Sequence, residues 1–266
     1  MEDKMKKQTK ILLTILFVLF IGVFVFSGIK LYSIIHEYRV DRQMYNGLSG
    51  QYVTNAGEKA DAQASDEGDP ASDVPREVSP ISVDFDALMS QSQDVVGWLY
   101  CRDTVINYPV VQADDNFYYL NRFIDGTYNG SGSLFLDYTC YGDFSGRNTV
   151  IYGHHMNDGS MLASICNYGK QEYYDEHPVL YLNTPTQNYR VEVFSGFITS
   201  ADSAAYTMEF SGDSEYAAYL EKMKGFSDFA CDVEIGPEDR MITLSTCTYE
   251  YDNARYVLMG KLVPID

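Results

Sequence analysis

The sequence predicts a mainly β domain, a closed or nearly closed barrel of about eight short strands with three or four short helices, preceded by an N-terminal membrane-spanning helix. Three observations lead there. Nineteen uncharged residues, Ile11 to Ile29, are long enough as a helix to cross a hydrocarbon core of about 30 Å. From Val95 onward, short β-branched and aromatic runs recur between clusters of Gly, Asn, Asp and Pro. Neither an alternating strand–helix pattern nor an internal repeat interrupts them.

The apolar run is longer than the h-region of a cleaved signal and passes into Lys30-Leu31-Tyr32 without a small-residue cleavage pattern, so an uncleaved anchor is expected. Lys4, Lys6, Lys7 and Lys10 precede it, against Lys30, Arg39 and Arg42 after it. That bias is weak, and it points the amino terminus inward. The expected organisation is a cytoplasmic tail over 1–10, the anchor and its continuation over 11–35, a flexible acidic linker over 36–78 and a folded catalytic domain over 79–266. The linker assignment rests on residues 46–80, rich in Gly, Ala, Ser, Asp, Glu and Pro and poor in large apolar side chains.

In chain order, Asp84 caps a short helix with Phe85, Leu88 and Met89 on one face. Val95–Tyr100 and Val105–Val111 read as strands around a turn at Arg102-Asp103, with Pro109 marking an edge or bulge. Asp114 to Phe123 reads as a short helix, Gly132–Asp137 and Asn148–Tyr152 as strands, and Met161, Leu162 and Ile165 as a helical turn or two. Val179–Leu182 and Tyr189–Thr199 form a hairpin. Asp213 caps a helix with Tyr216, Leu220 and Met223 on one side, ending near Gly225. Met241–Cys247 and Arg255–Val263 form the last hairpin, around Glu250-Tyr251-Asp252-Asn253.

A formal net charge of −19 excludes nucleic acid as a natural partner, because the field repels phosphates. Five cysteines are an odd number for an exported chain, so at least one is unpaired within it. Two disulfides and one free thiol are one arrangement; a domain of this size does not need such staples, and five reduced thiols are expected.

Chemistry concentrates in the last hairpin. Antiparallel pairing across its short loop sets Cys247, at the end of one strand, opposite Arg255, at the start of the next. A permanent positive charge there favours the thiolate and can hold an oxyanion. A base must come from elsewhere. Of four histidines, His36 lies beside the apolar run and His177 before Pro178 in a polar loop, whereas His154 and His155 follow the strand Asn148–Tyr152 and Gly153. Catalytic groups often occupy such strand-end loops. A hydrogen-bonded surface loop and a metal site with Asp158 are the competing readings of that pair; neighbouring extended residues point apart, which disfavours shared metal ligation. Thiolate, imidazole and guanidinium on separate strand ends make an acyl-transfer site.

With these residues the chain resembles the sortases, and within them class B, from about Phe85 to Val263. The blocks VVGWLY, VINYPVVQ, DNFYYL, GSLFLDY, NTVIYGHHMNDGSM, TLSTC and ARYVLMGKLV carry the resemblance in order. It implies an eight-stranded sortase-type barrel with short N-terminal helices and an extra helix before the cysteine strand. It also implies a membrane-anchored cysteine transpeptidase outside a Gram-positive cell. Cys247 would be the nucleophile, His154 the acid for the leaving amine, with His155 its rival, and Arg255 the oxyanion ligand. Asn116 and Leu120 match sorting-signal contacts, while Tyr152, Ser245 and Thr246 would line the groove and Tyr206 is a further candidate. The implied partners are a C-terminal sorting signal cut after Thr and an amine from a peptidoglycan precursor or a pilin lysine. No cofactor or metal is implied. A cell-wall cysteine peptidase of the papain or NlpC kind places its cysteine before its histidine at a helix start, the reverse of the order here.

Overall fold

The computed structural model describes residues 2–56 and 77–266. They divide into two compact units, Met1–Gln43 and Met44–Asp266. The first unit is helical, the leading part of α1 (Glu2–Tyr52), and its apolar side chains from Ile11 to Ile29 are exposed. The helix is long and apolar enough, by length and composition, to cross a membrane.

The second unit begins with the end of α1. Here the sequence expectation fails: residues 36–52 are helix, not linker, and Tyr45, Leu48 and Tyr52 are core residues. Their spacing of three and four residues puts them on one helical face, and burial of three large side chains offsets the polarity of the stretch. Strand β1 (Val53–Asn55) then pairs antiparallel with β2 (Ile81–Val83). The remainder of the expected linker, 57–76, lies outside the described residues.

Helix α2 (Phe85–Gln91) follows, with the Asp84 carboxylate accepting from the Ala87 amide at 3.0 Å and Leu88 fully buried. Eight strands then close a barrel: β3 (Val95–Tyr100), β4 (Asn107–Val111), β5 (Leu134–Leu136), β6 (Asn148–Tyr152), β7 (Val179–Asn183), β8 (Asn188–Ser200), β9 (Arg240–Cys247) and β10 (Ala254–Ile265). The order around the barrel is β10-β8-β7-β3-β4-β5-β6-β9. β4–β5 and β6–β9 are parallel pairs, and the others antiparallel. Closure leaves no long free edge.

Alternation along the strands divides the walls. Ile242, Leu244, Tyr256 and Leu258 join the barrel core with Trp98, Leu134, Leu136 and Ile151. Met241, Val257 and Met259 face the other way, into a second cluster with Tyr216, Leu220 and Met223 of α4 (Asp213–Gly225). Asp213 is the first residue of that helix, after Gly212, and makes an ion pair with Arg147 instead of a side-chain cap.

The segment Asp114–Phe123 is not the helix its pattern suggests. Only Tyr118–Asn121 forms a 3₁₀ turn. The Asp115 carboxylate accepts from the amides of Phe117 and Tyr118, both at 2.8 Å, and this local bonding competes with a regular helix start. A second 3₁₀ segment covers Ala163–Gly169, and α3 (Gln171–Glu176), absent from the sequence reading, leads into β7.

Candidate active site

Cys247 and Arg255 are register partners across β9 and β10. The amide of Thr248 donates to the carbonyl of Ala254 at 3.1 Å, a bond that brackets the pair rather than joining it. Cys247 and Arg255 are therefore a non-hydrogen-bonded pair, the kind whose Cα atoms approach to about 4.5 Å and whose side chains lie closest. Both share the strand parity of Val257, Met259 and Met241, so they stand on the outer wall, on the side covered by α4 and the loop before it.

The same parity builds the floor. Phe135 pairs with Tyr152, and Tyr152 with Ser245, in a row across β5, β6 and β9. These side chains, with Asn116, Leu120, Gly153, His154, Ala201, Tyr206, Cys247 and Arg255, line a cleft of about 210 Å³. Thr246 does not line it. It is buried, on the parity of Leu244, and its hydroxyl donates to the carbonyl of Gly153 at 2.8 Å. Of the sequence candidates, the cleft unites Asn116, Leu120, Tyr152, His154, Ser245, Cys247 and Arg255, while Thr246 braces the loop behind it.

His154 enters the cleft because a glycine directly follows β6. A β-carbon at Gly153 would meet Leu134 and stand 2.7 Å from Leu162 Cγ, so the chain turns here only without a side chain. Gly153 itself donates to the carbonyl of Ser245 at 3.1 Å, and the His154 carbonyl accepts from Leu162 at 3.1 Å. The His154 ring places Nε2 2.6 Å from the Leu120 carbonyl. A carbonyl only accepts, so Nε2 carries a proton and Nδ1 is left for proton exchange. The Leu120 candidate thus contributes its backbone as well as its side chain.

His155 points elsewhere. Its Nδ1 lies 2.8 Å from the carbonyl of Cys247 and 3.5 Å from Cys166 Sγ, with the Tyr249 ring 5.5 Å away. It buttresses the backbone of the cysteine strand.

One carboxylate that the sequence reading missed organises the far side. Asp137 accepts at Oδ2 from Asn116 Nδ2 (2.8 Å) and from the Tyr152 hydroxyl (3.0 Å), and at Oδ1 from the Thr139 amide (3.0 Å) and hydroxyl (2.6 Å). Burial opposes its ionisation, but the bonds from Thr139, Asn116 and Tyr152 outweigh that and hold its carboxyl below the usual range. The Tyr138 amide donates to Asn116 Oδ1 at 3.0 Å, which fixes the side-chain amide from both ends. Across the cleft Tyr206 and Ser245 share a hydroxyl–hydroxyl bond of 2.8 Å. Burial, countered in part by Ser245 and Arg255, pushes the Tyr206 phenol upward, so it remains a neutral bonding group.

The five cysteines are free thiols. Burial pushes Cys140 and Cys166 each up to about 11 and raises Cys101 as well, which keeps these three in the unreactive thiol form.

A family model described as a sortase domain matches residues 99–263. A Sortase B of Listeria monocytogenes is 34% identical over 245 residues, covering 91% of this chain and 93% of the relative. A Staphylococcus aureus sortase B–substrate complex superposes with a TM-score of 0.73 at 27% identity, over 87% of this chain and all (100%) of that one. Sortase B from Bacillus anthracis does so with a TM-score of 0.71 at 35% identity, over 86% and 99%. The barrel order, the family match across it and a Sortase B relative along 91% of the chain agree: this chain belongs to the sortase family of cysteine transpeptidases, in class B.

Proposed function

We propose that this transpeptidase is anchored by α1 with its barrel outside the cell, and that it cuts a C-terminal sorting signal after Thr through a thioacyl-enzyme on Cys247. The observation that carries this reading is the close pairing of Cys247 with Arg255 in a cleft that also receives His154.

The Cys247 thiolate attacks the Thr carbonyl carbon, and the Arg255 guanidinium holds the oxyanion that forms. As the tetrahedral intermediate collapses, the peptide C–N bond breaks and His154 gives a proton to the leaving amine. A thioester remains. An incoming amine then attacks it, His154 takes up the amine's proton, and Cys247 leaves as thiolate while a new amide forms. A peptidoglycan amine is the acceptor in this reading. Asn116 presents its remaining N–H to a peptide carbonyl, while Leu120, Tyr152 and Ser245 flank the substrate chain.

The test is mass spectrometry of sorting-signal peptides incubated with the full chain, with and without a peptidoglycan-type amine or a lysine peptide. Cleavage after Thr with an amide product only when the peptidoglycan amine is present supports the reading. Preference for the lysine peptide identifies a pilin polymerase, and hydrolysis alone under every condition identifies a peptidase.

A further inference from the structure

The deepest side chain of the second unit's α1 segment reaches both supports of the candidate proton donor. Tyr45 is only 4% exposed. Its hydroxyl donates to the carbonyl of Gly132 and lies 3.1 Å from Ser133 Oγ. Ser133 in turn donates its amide to the carbonyl of Tyr119 at 3.0 Å and its hydroxyl to that of Arg122 at 2.9 Å. Gly132 adopts φ +58°, and a β-carbon there would stand 2.5 Å from the Leu120 carbonyl oxygen and 2.6 Å from that of Tyr119. The strip 132–133 therefore lies directly under the 3₁₀ turn whose Leu120 carbonyl accepts from the His154 Nε2–H.

A second route starts from the same ring. Tyr45 packs edge-on against Tyr108, with centroids 5.1 Å apart at 90°, and against Phe123 at 5.0 Å. The Tyr108 hydroxyl accepts from the Met161 amide at 3.2 Å. Met161 bridges to His155, and the next residue, Leu162, donates to the His154 carbonyl. Both the acceptor of the imidazole and the backbone that carries it thus trace to one buried phenol.

We propose that Tyr45 is a positioning residue for His154, holding the Leu120 carbonyl and the 154–162 loop in the register that aims the imidazole into the cleft. The inference rests on the reading of His154 as the acid. Near-attack geometry is exacting: a shift of about 1 Å from a distant change can cost roughly 100-fold in rate. Removing the Tyr45 hydroxyl takes a donor from a buried carbonyl with little change in volume, which lets the 132–133 strip and the turn above it relax.

The test is Tyr45→Phe in the full chain in detergent, with kcat measured per titrated active site, KM for a sorting peptide, and ¹⁵N signals of the His154 ring. Positioning predicts kcat lower by about 10-fold, within the range such misplacement allows, KM little changed, and shifted ring signals. An unchanged kcat per site together with unchanged ring signals overturns the proposal, as does a loss that disappears once inactive molecules are counted out. His154→Ala run alongside separates the two levels. If that variant keeps the native rate, the reading of His154 fails, while the ring signals of Tyr45→Phe still report whether the phenol positions it.

Discussion

His154 Nε2 lies 2.6 Å from the backbone carbonyl of Leu120, whereas His155 Nδ1 lies 2.8 Å from the carbonyl of Cys247. Adjacent in sequence, the two rings are committed to opposite tasks, one opening into the cleft and one bracing the wall behind it. Replacing His154 by Ala is expected to lower kcat for peptide cleavage by about 100-fold or more, the usual contribution of a positioned acid–base group. His155→Ala keeps most of the activity and loses stability instead. Steady-state kinetics with thermal melts on both variants check the division, and the reverse pattern moves the role to His155.

Arg255 sits in the close pair with Cys247. Arg255→Ala is expected to reduce kcat by about 100-fold, as loss of one oxyanion donor does. A change below about threefold in kcat, measured with substrate saturating, removes the oxyanion role.

Gly153 has no room for a β-carbon between Leu134 and Leu162. Gly153→Ala is expected to destabilise by about 1–3 kcal/mol, the range for overpacking, and to displace His154 with it. Denaturant melts and kinetics should therefore fall together. A variant of native stability and native rate contradicts this account of the loop.

Asp137 carries a pH prediction. Its folded value is depressed, so its contribution to stability is complete above the ordinary carboxylate value of 3.8 and is lost as pH falls through the lower folded one. Asp137→Asn is expected to cost about 1–3 kcal/mol at neutral pH, because an amide cannot accept all four bonds. It should also flatten the acid limb of the stability curve and raise KM as Asn116 and Tyr152 lose their common anchor. Melts from pH 2 to 7 read the first effect, and an unaltered acid limb rules it out.

Much of the barrel was legible because its signal is local. Period-two alternation marks Met241–Cys247, and one short loop sets the register that brings Arg255 opposite Cys247. Helix α4 was equally legible from Tyr216, Leu220 and Met223. The misses are of another kind. The end of α1 carried Tyr45, Leu48 and Tyr52 at helical spacing, but its polar composition masked them, and their burial depends on barrel residues far along the chain. Asp114–Phe123 had an apolar periodicity that lost to the local bonds of Asp115. Thr246 was assigned to the groove by its place in TLSTC, although the parity that puts Ser245 and Cys247 outward turns it inward. Asp137 acts through Asn116, Thr139 and Tyr152, partners that only the closed barrel assembles.

The central claim is a thioacyl intermediate on Cys247. Intact-mass spectrometry of the full chain quenched in acid during turnover of a sorting peptide tests it most directly. The account predicts an adduct equal to the peptide's acyl portion ending in Thr, mapped to Cys247, cleared by an added amine and absent from Cys247→Ala. An adduct on another residue, or a Cys247→Ala variant that cleaves the peptide at the native rate, would contradict it.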